Sequence, residues 1–230
     1  MSESAHPEAL QHQFVDLAQQ KEAASLGMWV FIAQEILFFG GLFASYAIYR
    51  YEYPAAFSAG SHHLSWRIGF ANTLVLIASS LTMAMAVYSA EVGRRKHVAG
   101  FILATILLGS VFLGVKYFEY SEKIAPCLGD GPHAGCLLPG DRFDASTVHL
   151  EGAEGRHAQI FFSLYFGMTG LHALHMIVGI PILATIAVMS LRGRFTPEYH
   201  TPVELVGLYW HFVDIIWIFL FPLLYLIGAH

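Results

Sequence analysis

Charge is what this sequence lacks most. Only 13% of its 230 residues are Asp, Glu, Lys or Arg, about half the share that soluble domains carry. Cysteine is scarce too, with two in the whole chain, which excludes a disulfide-built mini-scaffold. There is no long basic run, and acids outnumber bases 17 to 12, so nothing suggests nucleic acid as a partner. No phosphate loop, nucleotide fingerprint, catalytic triad or CxxCH haem-attachment run is present. In place of charge stand 56% hydrophobic residues, including 18 Phe, 11 Tyr and 4 Trp. Such a chain is a membrane protein.

A membrane span needs about 20 mostly apolar residues. Five stretches qualify, at about 26–49, 68–90, 98–118, 160–191 and 203–227. The spacing predicts one all-α bundle of five transmembrane helices over 26–228, with no second domain and no internal repeat. The first 25 residues are polar, and Leu10, Phe14 and Leu17 are spaced like one side of a short amphipathic helix. The first basic residue is Lys21 and a full span follows it, unlike a cleaved signal peptide. The links 91–97 and 192–202 carry Arg94, Arg95, Lys96, Arg192 and Arg194 at high density. The links 50–67 and 121–158 carry their bases more thinly. Basic density places the N-terminus inside and the C-terminus outside.

Ionisable groups at bilayer depth are costly and default to functional candidates. Here they are Glu35, His172, His175, His211 and Asp214, with Lys116 and Glu119 nearer a span end. Glu35 lies nine residues into the first span, and His211 and Asp214 eight and eleven into the fifth. All three therefore sit roughly 12–17 Å deep at about 1.5 Å per residue. With His172 and His175 near the middle of the fourth span, the five are expected to meet in one buried layer. Residues three apart share a helix face, so His172 pairs with His175 and His211 with Asp214, where an acid fixes a histidine's tautomer. The layer serves either proton traffic or a plain hydrogen-bond network. A mononuclear metal site on His172, His175 and His211 is the sharper alternative. Two histidines three apart on one helix cannot be the opposite axial ligands of one haem.

Cys127 and Cys136 bracket a Gly- and Pro-rich loop that is able to bring the sulfurs together as a disulfide in an oxidising compartment, or to leave two thiols. His133 between them admits a metal, with few other ligands nearby. Gly41-x-x-x-Ser45 and Ser110-x-x-x-Gly114 are expected to mark close helix packing.

The last span reads Tyr209-Trp210-His211-Phe212-Val213-Asp214-Ile215-Ile216-Trp217. It closely resembles the YWHFVDxxW signature of subunit III of the haem-copper cytochrome c oxidases. Thr169-Gly170-Leu171-His172-Ala173-Leu174-His175 followed by Gly179 is similar to that family's TGxHxxHxxxG. Glu35-Ile36-Leu37-Phe38-Phe39 resembles its buried glutamate with an aromatic pair. Asn72-Thr73 with Ser79, Ser80 and Thr82, and Gly109, Phe112, Lys116, Glu119 and Tyr120, resemble its two middle motifs. The longest members have seven spans, and this chain matches the last five, like a five-helix bacterial-type member.

The resemblance implies an accessory subunit with no haem, copper or catalytic site of its own. It would pack on subunit I, which reduces oxygen to water with electrons from cytochrome c and pumps protons. It would support proton uptake there, in a bacterial inner membrane, with subunit II, cytochrome c, lipids or a larger respiratory assembly as further partners. Glu35, His172, His175, His211 and Asp214 match the family's intramembrane polar positions. Relatives in quinol oxidases and beside nitric oxide reductases define one alternative. A free-standing proton or solute transporter defines another, disfavoured by five helices without an inverted repeat.

Overall fold

The computed structural model describes residues 10–128, 135–149 and 152–226. Six α-helices account for most of it: α1 (Leu17–Glu52), α2 (Pro54–His62), α3 (Trp66–Glu91), α4 (Arg95–Ile124), α5 (Gly152–Leu191) and α6 (Thr201–Phe221). Five of them, all but α2, are long and apolar enough to cross a membrane. The all-helical, five-span architecture expected from the sequence is what the chain adopts.

The ends of the elements follow from local chemistry. Asp16 caps α1 by accepting the Gln19 N–H at 2.7 Å. Helix therefore begins only at Leu17, and Leu10 and Phe14 lie outside it, so the short amphipathic helix expected there does not form. Nor is the 50–67 link all coil: Pro54, suited to a first helical turn, opens α2. α3 and α5 end alike, on Gly93 (φ 73°) and Gly193 (φ 74°). Past each glycine, the Arg94 N–H reaches back to Ser89 at 2.8 Å and the Arg194 N–H to Met189 at 3.1 Å, the glycine-terminated cap that satisfies orphan carbonyls. Both basic links thus lie at the end of the bundle where α1 and α6 begin, since Lys21 pairs with Glu204 at 3.0 Å there.

α4 runs six residues past its expected end and α5 starts eight before, so the connection contracts to 125–151. Cys127 and Cys136 are disulfide-bonded across it, with Cα atoms 4.9 Å apart. Arg142 donates to the Cys127 carbonyl at 2.8 Å. His133 lies outside the described residues. Asp144 organises the rest, accepting from the Ser146 hydroxyl (2.6 Å), the Gly135 N–H (2.8 Å), the Ser146 N–H and the Thr147 hydroxyl (both 3.0 Å). The Ser146 hydroxyl foremost, then the Gly135 N–H, holds its carboxyl down at about 2, against 3.8 ordinarily. A depressed carboxyl stabilises above the unfolded value and loses that contribution as pH falls through the folded one, here between about 4 and about 2. In Asp144→Ala the Gly135 and Ser146 amides are expected to exchange with solvent roughly tenfold faster at pH 7, the equivalent of about 1.4 kcal/mol. Unchanged exchange would mean that the disulfide alone shapes the loop.

α6 is the hub of the bundle. Over half of its membrane stretch is buried, against 17% for α1, and it packs on α3, α5 and α1 while α4 bridges α3 and α5. Trp210 and Trp217 are fully buried, and each indole N–H crosses to α3, to Ser79 at 2.9 Å and Thr73 at 3.1 Å. Pro222 ends the α-helix, and residues Pro222–Leu226 continue as one π-helical turn whose Leu223 carbonyl accepts from the Tyr46 hydroxyl at 2.7 Å.

Close packing does not use the small-residue pairs picked from the sequence. A Cβ on Gly41 or Gly114 would meet no neighbouring atom within 4 Å. Ser45 and Ser110 bond back to their own helix, to Gly41 and Ile106. Tight contacts lie instead at Gly60 against Phe161, Gly69 against Phe221, Gly207 against Val87, and Gly109 and Gly179 on either side of Trp210.

Candidate functional site

The five intramembrane candidates occupy similar depths but do not form one layer. Helix rotation separates them into two surface-near pairs with one histidine between.

The first pair joins α1 to α5. Glu35, midway along α1, places Oε2 3.3 Å from His175 Nε2, a contact at ion-pair distance without hydrogen-bond alignment. The other ring nitrogen of His175 lies 2.8 Å from the Leu171 carbonyl. A carbonyl only accepts, so Nδ1 carries a proton and Nε2 is the atom turned to the carboxyl. Phe39 packs 5.6 Å from the imidazole, and Tyr209 donates to the His175 carbonyl at 2.8 Å. An apolar groove of about 500 Å³ between Met28, Phe31, Leu174, Val178 and Tyr209 opens beside it.

The second pair lies on the opposite flank of α6, against α3. His211 Nδ1 sits 2.7 Å from the Ser80 hydroxyl. Asp214 is 2% exposed and, among the described residues, neither carboxyl oxygen makes a well-aligned hydrogen bond, the Ser80 hydroxyl being the polar group beside it. The expected histidine–aspartate face therefore exists, although Ser80, and not Asp214, holds the imidazole.

His172 belongs to neither pair. Its ring, 1% exposed, packs 5.3 Å from Phe112 and 5.2 Å from Trp217. With His172 in the core, His175 facing α1 and His211 facing α3, the three histidines do not converge on one ligand position. Among the described residues, the set of three ligand groups within 4.8 Å is Glu91, His200 and Glu204. Glu204 there already pairs with Lys21 (3.0 Å) and His200 (2.9 Å).

Sequence reasoning underrated a third centre. Glu119 on α4 accepts from Lys116 at 2.8 Å, Tyr165 at 2.9 Å and Tyr225 at 2.7 Å, with Lys123 3.7 Å away. The Lys116 ammonium also lies 5.1–5.6 Å from the ring centres of Tyr120, Tyr165, Trp217 and Tyr225. Tyr120 is itself hydrogen-bonded to Thr169. This network clamps α4, α5 and the π turn together. The signal for it was the i, i+3, i+7 run of Lys116, Glu119 and Lys123; the two tyrosines come from distant helices.

The arrangement can be set beside known proteins. The sequence profile of the family described as cytochrome c oxidase subunit III matches residues 11–143 and 151–229. The chain belongs to that family. It is similar to cytochrome c oxidase subunit 3 of Corynebacterium diphtheriae, at 30% identity over 94% of this chain and 93% of the relative. It is likewise 31% identical to that of Loxodonta africana, over 91% of this chain and 71% of the longer relative. Cytochrome bo(3) ubiquinol oxidase subunit 3 of Pseudomonas putida is 28% identical over 89% and 86% of the two chains. The expected family stands, and with it a multi-pass subunit of an oxidoreductase complex, seated among other oxidase subunits.

Proposed function

We propose that this subunit III is the accessory subunit of a proton-pumping terminal oxidase of the cytochrome c type in a bacterial inner membrane. It packs on the catalytic subunit, which holds the haem and copper, carries no redox centre or catalytic residue itself, and supports proton uptake and durability during turnover. Subunit II, cytochrome c and membrane lipids are its further neighbours. The observation that carries this is the Glu35–His175 pair. A carboxyl and an imidazole 3.3 Å apart in apolar surroundings place two groups able to exchange a proton side by side at bilayer depth, where ionisable side chains default to function. Asp214 and His211 form a second polar position, and His172 a packing histidine.

The N-terminus is inside. Arg94, Arg95, Arg192 and Arg194 lie at the end where α1 begins, as dense cytoplasmic bases do, and the disulfide lies at the other end, suited to an oxidising compartment. Similarity to the Pseudomonas putida subunit supports a second reading, a quinol oxidase, in which the same pair serves a complex with a different electron donor.

Glu35→Gln keeps size and hydrogen bonding but cannot release a proton. In the assembled oxidase it is expected to slow steady-state turnover several-fold, or to hasten inactivation during turnover, with unchanged haem spectra. Unaltered pumping and inactivation rates would reduce Glu35 to packing.

A further inference from the structure

We infer that the groove between α3 and α6 is the seat of a transmembrane helix from the oxidase's catalytic subunit, and that this helix presents a hydrogen-bond-donating side chain to Asp214. The inference rests on the accessory-subunit function proposed above and names the face that function uses.

Three apolar grooves run along the bundle, and their polar content differs. In the α1–α5 groove the titratable groups are His175, already opposite Glu35, and Tyr209, whose hydroxyl donates to the His175 carbonyl. In the α1–α6 groove, about 480 Å³, the polar side-chain atoms are those of His211 and the Trp29 indole among otherwise apolar lining. The α3–α6 groove, about 360 Å³, holds Ser80, His211 and Asp214 along its floor between Leu76, Leu81 and Ile215. The Ser80 hydroxyl lies 2.7 Å from His211 Nδ1 and beside Asp214. One hydroxyl donates a single proton, so at least one oxygen of Asp214, 2% exposed, has no donor among the described residues.

In hydrocarbon such a carboxyl has no water to turn to, so an occupant that offers a donor is favoured over one that does not. A lipid acyl chain offers none. A helix bearing a hydroxyl, amide or indole does. The approach is open to a helix: Ser80 and Ala84, four apart on α3, keep that wall low, as small residues do where membrane helices meet. The groove is thus shaped for a helix and offers it a buried carboxyl, while the α1–α5 groove has His175 already facing Glu35 and the α1–α6 groove has few polar atoms.

The test uses the whole oxidase, purified from membranes through a tag on the haem-bearing subunit. A photoreactive benzoylphenylalanine is introduced at Ile77, on the groove wall, and at Leu37, on the outward side of α1 (78% exposed). Irradiation is expected to join the Ile77 variant to the haem-bearing subunit and to leave the Leu37 variant free of it. In parallel, Ala84→Trp, which fills the groove from a lipid-exposed position, is expected to lower the co-purified amount of this chain at least fivefold, while Leu37→Trp leaves it unchanged. Adducts of the Ile77 variant with lipid, or with a second copy of this chain, in a complex that still contains the haem-bearing subunit would overturn the assigned face and spare the function. Failure of the unmodified chain to co-purify with any haem would instead overturn the function.

Discussion

Glu119→Ala is expected to destabilise the fold by about 3–5 kcal/mol, the cost of breaking a buried ion pair from one side. The carboxylate takes Lys116, Tyr165 and Tyr225 within 2.9 Å and faces Lys123 at 3.7 Å. Side chains of all three charged residues are at most 7% exposed. Without Glu119, two ammonium groups are left buried on one helix face with no counter-charge, and two tyrosine hydroxyls lose their acceptor. The rings around Lys116 offset little of this, since cation–π attraction is worth about 2 kcal/mol at best. The measurement is thermal unfolding in detergent, with Glu119→Ala beside the double change Lys116→Met, Glu119→Leu. The double variant removes the Lys116–Glu119 pair together and is expected to recover part of the loss, because an apolar replacement of such a pair is often neutral, while Lys123 and the two tyrosine hydroxyls still lack their acceptor. A single variant as stable as the parent would show that water already reaches the cluster.

The second large effect is at Trp210. Truncation to alanine is expected to cost about 3–5 kcal/mol, the usual price of emptying a buried aromatic site. The indole is wholly buried between α4 and α5, with its N–H on Ser79 of α3. Gly109 and Gly179 make the room for it: a Cβ at Gly109 would lie 2.9 Å from Cη2 of the ring, and one at Gly179 3.1 Å from Cζ3. Gly109→Ala alone is therefore expected to cost about 1–3 kcal/mol by overpacking, and much less in a Trp210→Phe background, where the ring ends short of the new methyl. Denaturant unfolding of the two single variants and the double measures this coupling. Strict additivity would mean that the indole does not fill the space between the two glycines.

How much of this was legible beforehand depends on what each kind of residue encodes. The five spans were readable because hydrocarbon imposes length and composition, which are one-dimensional quantities. Position along the span was readable too, since it is counted from the span's first residue: Glu35 stands midway along α1, and His211 and Asp214 near the middle of α6. Rotation about the helix axis was not. The period of apolar residues is nearly silent when both lipid and core are apolar, so nothing in the sequence said that His211 turns to Ser80 while Glu35 turns to His175. The same silence explains the small-residue pairs. Gly41 and Gly114 have the spacing of packing sites, yet only position in the bundle, next to Trp210, gave that role to Gly109 and Gly179. The long connection at 121–158 looked like loop because Glu119, Lys123 and their neighbours are charged, although burial among tyrosines extends α4 through them. Tyr165 and Tyr225 carried no local mark of joining Glu119, being brought there from α5 and the π turn.

The most direct test of the central claim is to isolate this chain with its partners from native membranes, record a reduced-minus-oxidised optical spectrum, and count iron and copper. An accessory oxidase subunit predicts haem bands with copper in the complex and neither in the chain once it is stripped from its partners. A haem that remains with the isolated chain would contradict the account, and haem b with non-haem iron and no copper would move the subunit to a nitric oxide reductase.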